Sequence, residues 1–147
     1  MSKVNIYLNF SGNTEDAFKF YQSAFATEIN FLQRFKDIPN LPGAETMNEE
    51  DLNKIMHISL PITENCFLMG TDALEKLGHK VVFGNNFHIS VDANSKSHAD
   101  ELFSKLSNDG TITQSLADMF WGAYFGSLTD KFGVQWMINY HNKLSNK

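Results

Sequence analysis

Val4-Asn-Ile-Tyr-Leu-Asn-Phe10 decides how the rest of the chain is read. Its apolar residues fall on every second position, the period of a half-buried strand. Ser11-Gly12-Asn13 then makes a turn. Asn13 or Thr14 can cap a helix whose first turn carries Glu15 and Asp16, favourable at the positive end of the helix dipole. Ala17, Phe18, Tyr21, Ala24 and Phe25 recur at helical spacing behind that cap. The order restarts at Phe87-His-Ile-Ser-Val-Asp92. Ser95 or Ser97 caps a second predicted helix with Ala99, Leu102, Phe103 and Leu106 on one stripe. Asn108-Asp-Gly110 ends it, with Gly110 expected in the left-handed cap. Asn5 thus matches His88, and Ala17, Tyr21 and Ala24 match Ala99, Phe103 and Leu106. The chain is a weak internal repeat of two similar modules.

What lies between completes each module. Residues 28–36 read as a second strand, and 54–62 with 65–71 as a hairpin around Pro61-Ile-Thr-Glu64. Residues 37–51 hold Pro39, Pro42 and Gly43 and read as a long loop or flap, and 72–86 as a mixed connector. In the second half, 112–115, 124–128 and 134–140 are strand-like, and the polar tail after His141 is expected to fray.

The 147 residues suit one domain or two tightly fused halves. With a single cysteine, Cys66, the chain has no intrachain disulfide and no Cys-based zinc site. No apolar run approaches the ~18 residues of a membrane span, and Met1-Ser-Lys-Val-Asn lacks the apolar core of a signal peptide. A soluble cytoplasmic protein with no membrane partner is expected. The net charge is −5 and the only arginine is Arg34. Nucleic acid is not an expected partner, because it needs a clustered basic face.

Three segments carry a family resemblance. Tyr7-Leu-Asn-Phe-Ser-Gly-Asn-Thr-Glu-Asp-Ala-Phe-Lys-Phe-Tyr21 resembles the opening of the vicinal oxygen chelate superfamily, which includes glyoxalase I and the bleomycin-resistance proteins. Met56-His-Ile-Ser-Leu60 and Phe120-Trp-Gly-Ala-Tyr-Phe-Gly-Ser-Leu-Thr-Asp-Lys-Phe-Gly-Val-Gln-Trp136 are similar to its PhnB-like branch, often labelled demethylubiquinone methyltransferase-like. Lys131 stands where that branch usually has proline. The resemblance implies an α+β fold: two βαβββ modules, here residues 1–73 and 85–142, with curled mixed sheets around a cavity, commonly in a homodimer.

Strand parity then sorts the side chains. Ile6, Leu8 and Phe10 are expected under the first helix, and Asn5, Tyr7 and Asn9 on the opposite, concave face. Likewise Phe87, Ile89 and Val91 oppose His88, Ser90 and Asp92; Met56, Ile58 and Leu60 oppose Ile55, His57 and Ser59; Trp136, Ile138 and Tyr140 oppose Gln135, Met137 and Asn139. The expected ligand-binding wall is Asn5, Tyr7, His57, Ser59, His88, Ser90, Gln135 and Met137, with Trp121 at its rim and Trp136 in the core.

Catalytic members of the superfamily hold a divalent ion with four His, Glu or Gln side chains. Carried over by position, those ligands fall on Asn5, on 67–69, on His88 and on Met137. Only His88 is a good donor; His57 is a second candidate, and two imidazoles without a carboxylate make a thin site. No cofactor is expected. No Gly-x-Gly loop follows a strand, so the methyltransferase label draws no support from the nine glycines. The bland reading makes His57 and His88 hydrogen-bonded cavity fixtures. It leaves His79, His98, His141 and the acidic loop (Glu45, Glu49, Glu50, Asp51) solvated, and makes Cys66 a small buried apolar residue. Three functions stay open: a metal-free small-molecule binding protein with a degenerate metal site, an enzyme using His57 or His88 as acid–base groups or metal ligands, and a structural or regulatory dimer with a vestigial cavity.

Overall fold

The computed structural model describes residues 2–142 and divides into two compact units, residues 1–82 and 83–147. Each carries one four-stranded mixed sheet with a helix on one face. In the first unit, β1 (Ile6–Phe10) runs parallel to β4 (Cys66–Asp72), which pairs antiparallel with β3 (Ile55–Thr63), which pairs with β2 (Phe31–Arg34). The second unit repeats the order with β5 (Ile89–Asp92), β8 (Gln135–His141), β7 (Ala123–Thr129) and β6 (Thr111–Asp118). Helices α1 (Thr14–Phe25) and α3 (Lys96–Ser107) follow β1 and β5, and a single helical turn, α2 (Glu49–Leu52), lies before β3. The α+β fold of paired modules is the one expected, and neither sheet closes on itself.

The helix-facing layer is fixed by close contacts. A Cβ at Gly70 would stand 2.7 Å from the Phe18 ring, so Gly70 lies under α1. Leu8 and Ile58 are its partners on either side and share that face. Phe18, Tyr21, Ala17 and Ala24 bury against this layer. In the second unit Gly126 occupies the same kind of position under Phe103, flanked by Ile138, which pairs in turn with Val91. Trp136 is fully buried, as its parity requires.

The buried carboxylates Asp72 and Asp130 hold the turns. Asp72 Oδ1 accepts from Gly12 N, Thr14 N and Thr14 Oγ1, and its Oδ2 accepts from Ile55 N. The cap of α1 therefore comes from β4, and the Asn13 side chain makes no capping bond. Ser95 does cap α3, accepting from His98 N. Asp130 Oδ1 accepts from Phe132 N and Val134 N, while its Oδ2 takes the Trp136 indole N–H at 2.8 Å. The most distinctive residues of the final motif, Asp130, Gly133 and Trp136, are thus a turn lock.

Several local expectations are corrected. Ile55 is buried while its predicted partner on the same face, His57, is half-buried. The cause is a bulge: Gln33 pairs with His57 but Arg34 pairs with Ile55, so Met56 is an extra residue and parity flips across it. Thr71 Oγ1 holds the bulge by donating to the Met56 carbonyl at 2.7 Å. Phe87 is exposed, because the β5 ladder starts only at Ile89. The left-handed residue after α3 is Asp109 (φ 60°), not Gly110. Gly110 is required for room instead: a Cβ there would collide with the Thr129 carbonyl oxygen. The second strand is shorter than predicted and gives way to a 3₁₀ turn at Phe35–Asp37, and the long loop contains another at Ala44–Thr46 and most of α2. Asp51 is paired with Lys76 at 2.9 Å, and Cys66 is half-buried. The His98 Nδ1 accepts from Asn94 N, closing the loop before α3. Of the tail after His141, only Asn142 lies within the described residues.

Candidate functional site

Opposite α1, the first sheet presents an open face. Register places Tyr7, Met69, Ser59 and Phe31 in one row across it, and Gln33 with His57, and Asn9 with Thr71, in the next. The aromatic members are exposed: Tyr7 by 48% and Phe31 by 47%. His57 sits between them, its ring centroid 5.6 Å from each. Tyr7 Oη lies 3.2 Å from His57 Nδ1. Burial raises the Tyr7 phenol above its ordinary value, opposed by a hydrogen bond with Thr71. Tyr7, His57 and Ser59, predicted together, are together. Asn5 differs: its Oδ1 accepts from Phe67 N and secures the start of β4, while Lys3 stands over the Phe67 ring.

Phe31, Gln33, Met69 and Thr71 belong to the same face and were not read from the sequence as site residues. The signal was present in parity: Phe31 and Gln33 alternate with Leu32 in β2, and Met69 and Thr71 flank Gly70 in β4.

The face opposite α3 in the second unit has a different character. Ser90 pairs with Met137, and Met137 with Ser127, whose hydroxyl is 2.7 Å from Thr113 Oγ1. Asp92 and Asn139 share a row and a hydrogen bond. His88 is half-buried just before β5, and Gln135 Nε2 donates to the neighbouring Phe87 carbonyl. Trp121 stacks edge-on against Phe120 (88°) and approaches Phe125 at 6.1 Å, so it borders this face beyond β6. His57 belongs to the first unit, and His88 to the second.

Of the four positions that the resemblance gives to metal ligands, Asn5 accepts from the Phe67 backbone N–H, β4 carries Phe67 and Met69, His88 lies just before β5, and β8 carries Met137. No group of three or more His, Cys, Asp or Glu side chains able to hold a metal exists among the described residues. A separate depression of about 350 Å³ lies beside the start of α1. Its cations are engaged internally: Arg34 binds Glu15 with both nitrogens and the Asn53 carbonyl, and Lys54 binds the Gly12 carbonyl.

Paired βαβββ modules, each with a helix on one face and a mixed polar and aromatic surface on the other, define the vicinal oxygen chelate class. A glyoxalase/bleomycin resistance protein/dioxygenase family enzyme from Burkholderia phytofirmans shares this fold at 15% identity and a TM-score of 0.59, over 96% of this chain and 98% of that one. Within the class, the chain belongs to the PhnB-like family described as 3-demethylubiquinone-9 3-methyltransferase, whose model matches residues 2–139. It is 30% identical to Protein YjdN of Escherichia coli K12 over 141 residues, covering 90% of this chain and 91% of that protein. The crystal structure of protein PA1353 from Pseudomonas aeruginosa matches with a TM-score of 0.80 at 29% identity, over 96% of this chain and 98% of that one. A PhnB protein from Bacillus cereus, described as a putative 3-demethylubiquinone-9 3-methyltransferase, matches at 0.74 and 27%, over 95% and 99%. Among the described residues no helix is long and apolar enough to cross a membrane.

Proposed function

We propose that this chain is a metal-independent binding protein for small aromatic molecules. The observation that carries the reading is the open face opposite α1, where the exposed rings of Phe31 and Tyr7 flank the half-buried His57, with Gln33 and Thr71 beside them. Rings of this kind give a flat ligand its contact area, and a few fixed polar groups give it orientation. The absence of a carboxylate at the metal positions supports a metal-free role, and the methyltransferase description brings no glycine-rich loop with it. In this reading Tyr7, His57 and Ser59 of the first unit are the ligand-binding residues. Asn5 acts only indirectly, through β4.

The test is a thermal-shift panel of small aromatics on the purified protein, followed by titration of the best compound. His57→Ala should weaken its binding while leaving the melting temperature nearly unchanged, because the half-buried ring carries little packing. Destabilisation by about 3 kcal/mol with unaltered affinity would make His57 a structural fixture. The second reading, an enzyme, draws on the Tyr7–His57 pair, which joins a phenol to an imidazole at hydrogen-bond distance. Turnover of a panel compound that vanishes in His57→Ala would favour it over simple binding.

A further inference from the structure

The open face of the second unit carries a carboxylate with no cation beside it. Asp92 and Asn139 are register partners on β5 and β8, and Asn139 pairs in turn with Phe125 on β7. Val91 and Gly126, their neighbours in the chain, belong to the helix-facing layer, so this row lies on the side away from α3. Asp92 is exposed. Its Oδ1 accepts from Asn139 Nδ2 at 3.1 Å, and among the described residues no Lys, Arg or His pairs with it. The lysine at the start of α3, Lys96, is held elsewhere. It lies 3.1 Å from Asp118 Oδ2 and over the ring of Tyr124, whose hydroxyl bonds to Asp100 of α3.

Aromatic surface stands at the other end of the row. Phe125 is half-buried, and Trp121, 52% exposed, lies 6.1 Å from it. Asp92 and Phe125 are two strand spacings apart, about 10 Å between backbones. An ammonium joined to a ring by a short carbon chain spans that distance. Asn139 stands between them and gives its amide N–H to Asp92, and its side-chain carbonyl is a second acceptor for an ammonium.

We propose that this face is a further binding site, for small organic cations that carry a flat ring: Asp92 takes the ammonium, and Trp121 with Phe125 takes the ring. The negative ring faces of Trp and Phe favour positive charge, while a ligand carboxylate would be repelled by Asp92. An exposed ion pair is worth little alone, so the rings supply most of the contact and the charge supplies the choice among ligands. The inference does not rest on the aromatic-binding reading above, whose residues belong to the first unit.

Three probes of one shape test it: 3-phenylpropylammonium, 3-phenylpropanol and 3-phenylpropionate, titrated at pH 8 and followed by the indole N–H resonances. The chain has two indoles. Trp136 is buried with its N–H on Asp130, so the Trp121 resonance, assigned by its loss in Trp121→Phe, should be the one that moves. The ammonium should bind at least about threefold more tightly than the alcohol, the yield of one exposed ion pair, and the carboxylate most weakly. Asp92→Asn should bring ammonium and alcohol to equal affinity. An alcohol that binds the wild type as well as the ammonium does overturns the charge recognition, whatever the variant does to the fold. A preference that survives Asp92→Asn overturns the role of Asp92, and binding that leaves the Trp121 resonance unmoved overturns the placement of the ring. Failure of all three probes to bind overturns the site. The His57→Ala titration decides the first-unit reading separately.

Discussion

Asp72 and Asp130 are the buried carboxylates a search for catalytic acids would reach first, and their surroundings assign them elsewhere. Each is encircled by donors from its own unit, four for Asp72 and three for Asp130, all at 2.7–3.1 Å. A carboxylate saturated in this way has little acceptor capacity left for a substrate. Asp72→Ala strands four donors, two of them buried backbone N–H groups, at a cost of about 1–3 kcal/mol for each one left dry. Urea denaturation should show a loss of at least ~3 kcal/mol. A loss below ~1 kcal/mol would mean that water takes over the cap. Tyr124 makes a different prediction. Its hydroxyl donates to Asp100, and that carboxylate, followed by burial, pushes the phenol up to about 12. The folded value exceeds the unfolded one, so this contribution is complete below the ordinary value of 10 and is lost as pH rises through about 12. In a spectroscopic titration of phenolate absorbance, one tyrosine should ionise late, and Asp100→Asn should bring it back toward its neighbours.

At the scale of elements, α1 is tied at its start to β2 as well as β4. Arg34 grips Glu15 through both nitrogens at 2.9–3.0 Å. The Arg34 hydrogen bond is the largest influence holding the Glu15 carboxyl below its ordinary value of 4.5. Its stabilisation is present above that value and lost as pH falls through the depressed folded one. The pair is partly exposed, so the effect is about 1 kcal/mol, and Glu15→Gln should flatten that part of the acid limb of stability. Gly70→Ala should cost about 1–3 kcal/mol, because Phe18 would have to leave its well-packed place. These contacts also show what could be read in advance. The stripes of α1 and α3 and the alternation of β1 were legible because each helix or strand has one buried side, and periodicity records that directly. The flip at Met56 was not, since a bulge is set by pairing with another strand and by Thr71, residues apart in sequence. The cap from Asp72 was hidden for the same reason: a side chain 58 residues from Thr14 does the work expected of Asn13 or Thr14. For the candidate site, Tyr7, His57 and Ser59 were found by parity, while Phe31 and Met69 needed the sheet order before they could join them.

At the scale of the whole molecule, the question is what the exposed surface is for. β6 is exposed at all but one of its positions, and charge enters it only at Asp118. Ile112 is 50% exposed, Phe120 97% and Trp121 52%. A bare edge strand beside bare rings invites pairing with another chain unless something blunts it. Two register shifts between β6 and β7 twist that edge and disfavour unlimited strand addition. A closed partner is therefore expected in place of a fibre, and a second copy supplies the same surface by symmetry. The protein should behave as a homodimer, with a light-scattering mass near twice the 16.7 kDa of one chain. Phe120→Ser should shift it toward the monomer by removing a ring that contributes little to its own unit, since almost all of it is exposed there. If the protein is metal-independent as proposed, chelator treatment should change neither the mass nor the melting temperature. A monomer at micromolar concentration would show that the rings and the edge serve another partner. A dimer undisturbed by Phe120→Ser would place the interface away from β6.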